Sequence, residues 1–142
     1  MSADIVTPAT ALLERPTMRR DPLEMTCAEL RGLRESLGLT VRALAEGIGQ
    51  DESTVYRWES GAQRISAGNA RSLAALVDYT DRRVEDLVAA HRPGAPIVTY
   101  PSDRAYRGSG PGRVLSAQWH RVVARRAAER TGARVVWPGQ PS

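Results

Sequence analysis

The chain has 142 residues, 42% of them hydrophobic, which suits one domain of ordinary size or two small ones. No apolar run approaches the ~20 residues that cross a bilayer, and the amino terminus lacks a secretion signal, so we expect a cytoplasmic protein without a membrane partner. A single cysteine excludes an intramolecular disulfide and a cysteine-rich zinc site, and the two histidines lie far apart, so no metal or cofactor is expected.

The positive charge lies in the last third of the chain. The formal net charge is +4, yet residues 25–92 hold nine arginines and ten acids, whereas residues 93–142 hold eight arginines and two acids. An excess of arginine favours a nucleic-acid partner. Any binding of nucleic acid by residues 25–92 must therefore rest on local contacts and not on net charge.

Residues 1–24 mix three prolines with charged residues and one short apolar patch. This composition predicts a mostly disordered tail. Its three arginines are candidates for an arm in the DNA minor groove: Arg15, Arg19 and Arg20. An alternative is that Met25 is the biological start, in which case the tail is not part of the native protein.

Five amphipathic helices are predicted in residues 25–91, which should form one domain. Each begins at a residue whose side chain can accept a hydrogen bond from the first helical turn, and the last two cover residues 67–77 and 81–91. Glu29 completes a capping box at the first helix. The five predicted N-caps are Thr26, Thr40, Asp51, Ser66 and Thr80.

The second and third predicted helices are joined by a tight turn at Gly49, which is the arrangement of a helix-turn-helix motif. In such a motif the second helix of the pair enters the major groove with its N-terminus first. The exposed side chains of its first two turns then face the base edges, and these are Glu52, Ser53, Tyr56 and Arg57. Arg57 can donate two hydrogen bonds to guanine and Glu52 can accept one from cytosine, each discriminating by roughly 1–3 kcal/mol.

Donors to DNA phosphates are expected on both sides of that helix. The backbone N–H groups of Val41 and Arg42 open the second helix and can bind a phosphate. Side chains assigned to phosphate contacts are those of Thr40, Arg42, Gln63 and Arg64. These contacts are local, so a nearly neutral domain can bind DNA, with modest affinity as a monomer.

Residues 33–61, LRESLGLTVRALAEGIGQDESTVYRWESG, resemble the helix-turn-helix domain of the Cro/repressor type, the XRE family. The family pattern is LRxxLGLTxxxLAxxxGxxxxTVxRWExG. The resemblance implies double-stranded DNA as the partner, and a buried ion pair between Arg34 and Glu59 that ties the first helix to the third. Glu52 departs from the family, which usually has Gln, Arg or Ser there, and an acid at this position repels phosphate.

The pattern changes after residues 92–96, whose proline and glycine content predicts a linker. Residues 97–100 and 133–137 are β-branched and aromatic and are predicted to be strands. Between them lie a glycine-rich loop and a helix capped by Ser116. The fold class is therefore mainly α, with a five-helix Cro/repressor-type domain followed by a small β-α-β segment over residues 97–142.

Such a segment is too small to fold alone, because an isolated two-stranded sheet is marginally stable. Two copies are expected to pair their strands and to pack apolar side chains across a two-fold axis. The predicted interface residues are Tyr100, Trp119, Val122, Val123, Val135 and Trp137. The order of elements also resembles the repressors encoded beside anti-CRISPR genes, which implies a homodimer that binds an inverted repeat in its own promoter.

Seven of the eight arginines in the segment lie in its loop and on its helix, and these are Arg104, Arg107, Arg113, Arg121, Arg125, Arg126 and Arg130. They form either a solvated polar face or a second phosphate-contacting surface for DNA or RNA. His120 suggests a ribonuclease-like site, but no acid or second histidine is placed to support one, so we expect that the protein is not an enzyme.

The sequence thus predicts a homodimeric, sequence-specific transcriptional repressor that autoregulates its own phage or bacterial operon. The alternative is the antitoxin of a toxin–antitoxin pair, whose C-terminal segment binds a protein partner and whose helix-turn-helix autoregulates. An enzyme carried on the C-terminal segment is the third hypothesis. A toxin that co-purifies with the chain would favour the antitoxin.

Overall fold

The computed structural model describes residues 20–141, so the predicted arm residues Arg15 and Arg19 lie outside the described part of the chain. Within that part the fold is mainly helical, and none of its helices is long and apolar enough to cross a membrane. In chain order the elements are a 3-10 helix (Pro22–Glu24), α1 (Cys27–Ser36), α2 (Val41–Ile48), α3 (Glu52–Ser60), α4 (Ala67–Ala90), β1 (Ile97–Val98), α5 (Asp103–Gly108), α6 (Ala117–Thr131) and β2 (Val135–Val136).

Local signals place the starts of the first helices correctly. The hydroxyls of Thr26, Thr40 and Ser66 each accept a hydrogen bond from the third residue of the helix that follows, and Thr26 shares a capping box with Glu29. Asp51 stands at the N-cap of α3, but its side chain accepts no bond from the helix. Three of these N-cap predictions are therefore confirmed by a hydrogen bond, and the fourth by position only.

The prediction of a helix start at Thr80 is wrong, because α4 runs unbroken over 24 residues. Thr80 is fully buried, donates its hydroxyl to the carbonyl of Leu76 at 2.8 Å and accepts the indole N–H of Trp119 at 3.0 Å. A threonine that bonds back to the preceding turn has the same letter as a threonine that caps. The N-terminal part therefore has four α-helices and not five.

Ordered structure begins before Thr26, which is the point at which the sequence predicts it to start. Pro22 is buried, and the 3-10 helix that it opens lies against α4. Arg20 is exposed and forms an ion pair with Glu29 at 3.0 Å, which ties this arginine of the predicted arm to α1. The part of the predicted tail that lies within the described residues is thus attached to the domain.

One apolar core joins the helix-turn-helix part to the C-terminal segment. It contains Leu37 and Val55 from the first part together with Val123 and Ala124 from α6. The most extensive packing between two elements is that of α6 along α4. The C-terminal segment is therefore folded onto the same chain and does not stand apart behind its linker.

The two strands pair in parallel, with Ile97 opposite Val135 and Val98 opposite Val136. Each is two residues long, shorter than predicted, and α6 forms the crossover between them. The predicted loop also contains the short helix α5, and the hydroxyl of Tyr106 on this helix donates to the carbonyl of Val114 at 2.7 Å. So small a sheet gains its stability from α6 and not from its own ladder.

This packing removes three residues from the predicted dimer interface. Trp119 and Val123 are 2% exposed and Tyr100 is 9% exposed, because α4 and the loop of the same chain cover them. Val122 is half-buried against the turn between α1 and α2. Only Val135 and Trp137 keep large exposed surfaces, so the segment satisfies most of its need for burial within one chain.

Candidate nucleic-acid interface

Helices α2 and α3 form the helix-turn-helix. Gly49 ends α2 with a φ of 72°, a left-handed conformation that glycine adopts without steric cost. The backbone N–H of Gln50 then donates to the carbonyl of Ala45 at 2.8 Å, which closes the turn. Leu44 and Val55 are buried between the two helices, so α3 has a fixed angle to α2.

Arg34 and Glu59 meet as the resemblance implied. Nε of Arg34 lies 2.7 Å from one carboxylate oxygen of Glu59, Nη2 lies 2.9 Å from the other, and Nη1 donates to the carbonyl of Leu39 at 2.8 Å. Both side chains are 10% exposed, and the hydrogen bonds to Glu59 raise the pKa of Arg34. The guanidinium of Arg34 thus connects α1 both to the turn that precedes α2 and to α3.

The four residues assigned to base contacts share the outer face of α3. Glu52, Ser53, Tyr56 and Arg57 are all exposed, and Tyr56 is 58% exposed. The opposite side of the helix is formed by the buried residues Thr54, Val55 and Trp58. The helix therefore presents four side chains with hydrogen-bond donors or acceptors to solvent, while its opposite side packs against the rest of the domain.

Two polar neighbours hold the guanidinium of Arg57. Its Nε donates to the side-chain oxygen of Gln63 at 2.8 Å, and Nη2 donates to the hydroxyl of Thr54 at 3.2 Å. No carboxylate within residues 20–141 pairs with Arg57, so its positive charge is not neutralised there. Gln63, which was assigned to a phosphate, uses its oxygen on Arg57 and keeps its amide hydrogens for other acceptors.

The start of α2 carries free donors. The Thr40 hydroxyl caps the helix through the N–H of Ala43, while the N–H groups of Val41 and Arg42 have no acceptor within the described residues. The Arg42 side chain is exposed and forms a 3.3 Å ion pair with Glu46 one turn later. Arg64, beyond α3, is exposed. Phosphate donors thus flank α3 on both sides along the chain.

Three of the seven arginines in the loop and helix of the C-terminal segment are neutralised by carboxylates of the same chain. Two of these pairs cross from α6 to α4, and Arg126 also donates to the carbonyl of Ser36 at 2.9 Å. The pairs are Arg125 with Glu129, Arg126 with Asp81 and Arg130 with Glu85. For these three the interpretation as a solvated and paired face fits the geometry.

Another three arginines are bound by neutral groups. Arg107 donates to the carbonyl of Leu115 at 3.0 Å, and Arg121 donates to the carbonyl of Tyr100 at 2.7 Å. Arg113 donates to the hydroxyl of Ser109 at 2.8 Å and lies over two tyrosine rings. Within the described residues no carboxylate pairs with any of the three, so their charge is available to an anionic partner.

His120 is packed among aromatic rings. Its Nδ1 lies 2.8 Å from the hydroxyl of Thr99, and the rings of Tyr100, Tyr106 and Trp119 surround it. Burial, assisted by the positive charge of nearby arginines, lowers the pKa of His120 from 6.5 to about 4. The ring is therefore neutral at pH 7.

In the described chain no group of His, Cys, Asp and Glu residues is arranged to hold a metal ion.

Protonation of His120 should make the protein less stable in mild acid. Below pH 6.5 the unfolded chain takes up a proton that the folded chain refuses until about pH 4, so stability falls as the pH falls through this window. We expect a loss of roughly 2 kcal/mol between pH 7 and pH 5, measured by urea unfolding. The variant His120→Gln cannot take up this proton and should lose that much less over the same range. Parallel curves for the two proteins would contradict the prediction.

The family comparison agrees with this geometry. Residues 30–82 match the family model HTH_3, described as helix-turn-helix. The matched range contains the four exposed residues of α3, the donors at the start of α2 and the pair of Arg34 with Glu59. No curated protein matches the chain. Residues 30–82 are therefore a helix-turn-helix domain of the Cro/C1 (XRE) type, and this domain indicates a DNA-binding transcription regulator of that kind.

Proposed function

We propose that the protein is a sequence-specific transcriptional repressor that acts at the promoter of its own operon. The observation that carries the proposal is the outer face of α3. Its four side chains, Glu52, Ser53, Tyr56 and Arg57, are exposed, while α3 itself is held against α1 by the ion pair of Arg34 with Glu59. A helix held in this way can enter the major groove without rearrangement. Occupation of a promoter by such a domain would exclude the polymerase.

Two charged side chains of opposite sign supply the proposed specificity. Arg57 is suited to guanine, since a guanidinium can donate to O6 and N7 together, and Glu52 is suited to the amino group of cytosine. The acid also repels phosphate, so it disfavours any docking in which α3 slides onto the backbone. Specificity thus comes from attraction to a base at both positions and, at Glu52, also from repulsion of phosphate.

The substitution Arg57→Ala should remove discrimination at one base pair of the operator, at a cost of about 1–3 kcal/mol for the preferred base. Fragments of the promoter are first tested for retardation at low salt, and the bound fragment is then changed one base pair at a time. Arg125→Ala is the matched control, because Arg125 is exposed on α6 and paired with Glu129. Unchanged preference at every position in Arg57→Ala would remove Arg57 from the base-contacting set.

The proposed repressor acts as a homodimer, and its operator is an inverted repeat with half-sites about 34–36 Å apart. Support comes from the exposed apolar side chains around the small sheet, since Val98, Val135 and Trp137 are 40–41% exposed and each strand has one unpaired edge. The resemblance to repressors encoded beside anti-CRISPR genes supports autoregulation in an operon of that kind. Light scattering of the full chain tests the dimer, and a monomeric mass would redirect the operator search to asymmetric sites.

The same exposed apolar residues favour one alternative, the antitoxin of a toxin–antitoxin pair. In that case Val135 and Trp137 would contact a toxin and not a second copy. Expression together with the neighbouring genes distinguishes the two, because an antitoxin would be purified in a stable complex with one of their products. A full-length homodimer that binds its promoter without any such product would exclude the alternative.

A further inference from the structure

An open cleft of about 570 Å³ lies between α2 and the loop-and-helix part of the C-terminal segment. Both regions contribute charged and polar side chains to it, and some are residues that were assigned to phosphate contacts. The six that matter here are Thr40, Arg42 and Glu46 from the helix-turn-helix, and Asp103, Arg107 and Arg121 from the segment.

The two walls of this cleft are held at a fixed separation. Gly38 lies in the turn before α2, and a Cβ added there would come within 2.7 Å of the carbonyl oxygen of Gln118 in α6. Only a glycine allows so close an approach of the two backbones. Since Arg126 also donates to the carbonyl of Ser36, α6 is docked directly beside the turn that leads into α2. Arg107 and Arg121 therefore have a defined position relative to the first turn of α2.

The charge of the cleft favours an anion. Its three guanidiniums outnumber its two carboxylates. Glu46 pairs with Arg42, and Asp103, which accepts the N–H of Ala117 at 2.8 Å and keeps its charge, offsets only one of the other two arginines. Arg107 and Arg121 are anchored by backbone carbonyls, which hold a guanidinium in place without neutralising it. Their remaining N–H groups suit the oxygens of a phosphodiester.

We propose that this cleft binds the sugar-phosphate backbone of DNA and extends the contact that begins at the N-terminus of α2. The inference rests on the proposed binding of DNA through α3. Thr40 and Arg42 line the cleft, so a phosphate held by the free N–H groups at the start of α2 would lie beside it, and the same strand would continue toward Arg107 and Arg121. The C-terminal segment then adds affinity for any sequence, and α3 adds the preference for one sequence.

Removal of the two guanidiniums tests the proposal. Arg107→Gln, Arg121→Gln and the double variant are measured against the promoter fragment and against an unrelated duplex of equal length, over a range of salt concentrations. We expect similar losses of affinity on both duplexes, and a plot of log K against log salt that is less steep by about 1 for each arginine removed. Arg125→Gln is the control and should leave both slopes unchanged.

The outcomes separate this inference from the repressor proposal. Equal affinity and slope for wild type and the double variant would overturn the cleft and leave the repressor intact. Binding that depends on Arg107 and Arg121 but shows no preference for any promoter fragment would overturn the repressor and support the cleft. A wild type that binds neither duplex would overturn both.

Two further measurements guard against misinterpretation. Arg121→Lys keeps the charge but loses the planar guanidinium that donates to Tyr100, so recovery of affinity and slope by this variant supports a charge contact over a folding defect. Inorganic phosphate is titrated calorimetrically into wild type and the double variant without DNA. Binding of phosphate that requires both arginines, together with unchanged DNA affinity, would assign the cleft to a small free anion and overturn the proposal.

Discussion

The variant Glu59→Ala is expected to lose about 3–5 kcal/mol of unfolding free energy, because it leaves the guanidinium of Arg34 buried without its partner. In the native chain that guanidinium donates three hydrogen bonds, two to the carboxylate of Glu59 and one to the carbonyl of Leu39. Loss of the carboxylate removes two of these bonds and the opposing charge together. The cost therefore exceeds that of one surface ion pair.

Chemical denaturation followed by circular dichroism measures this effect. Glu35→Ala is the matched control, since Glu35 forms an exposed ion pair with Arg31 one turn apart in α1 and should cost less than about 1 kcal/mol. A loss no larger than that of the control would show that Arg34 finds solvent when Glu59 is absent. Addition of Arg34→Met to Glu59→Ala should restore part of the stability, because no charge is then stranded.

The variant Trp119→Ala should destabilise the whole chain by about 3–5 kcal/mol, because it opens a large cavity between α4 and α6. Trp119 is 2% exposed, stacks on Tyr79 with ring centroids 5.8 Å apart and donates its indole N–H to Thr80. Both elements belong to one core, so the loss should appear as one cooperative transition at lower denaturant concentration.

Trp137→Ala serves as the comparison for Trp119→Ala. Trp137 is 41% exposed near the end of the chain, and its removal should change the stability of the single chain by no more than about 0.5 kcal/mol, at a protein concentration low enough to dissociate the proposed dimer. Far-ultraviolet circular dichroism is the appropriate signal, because each variant changes the tryptophan fluorescence. A Trp119→Ala protein in which residues 25–91 unfold at the wild-type midpoint would show that the helix-turn-helix part is independent of α6.

The helix-turn-helix could be predicted from sequence because its determinants are local. Thr40 caps α2 through a residue three positions away, and Gly49 supplies the left-handed turn between adjacent helices. The outer face of α3 follows from its helical period once Val55 and Trp58 are assigned to the core. Only the pair of Arg34 with Glu59, 25 residues apart, needed the resemblance to a family.

The errors concern side chains whose partners lie far along the chain. The local pattern at Thr80 predicts a cap, yet its hydroxyl lies inside a continuous helix and accepts the indole N–H of Trp119, 39 residues away. A hydroxyl at a helix start and a hydroxyl under an indole have the same local pattern. Helical periodicity predicts that Trp119 and Val123 are buried, but it does not say whether a second copy or the same chain covers them.

The sequence by itself therefore determined most of the helix N-caps, the glycine turn between α2 and α3 and the residues on the exposed face of α3, since each depends on neighbours within one or two turns. Only the tertiary structure decided that α6 packs on α4 of its own chain, because hydrophobic burial is non-directional and accepts any surface of matching shape. The same packing decided which of the C-terminal arginines are neutralised by carboxylates. It paired Arg126 and Arg130 with acids of α4 and left Arg107 and Arg121 unneutralised beside the start of α2.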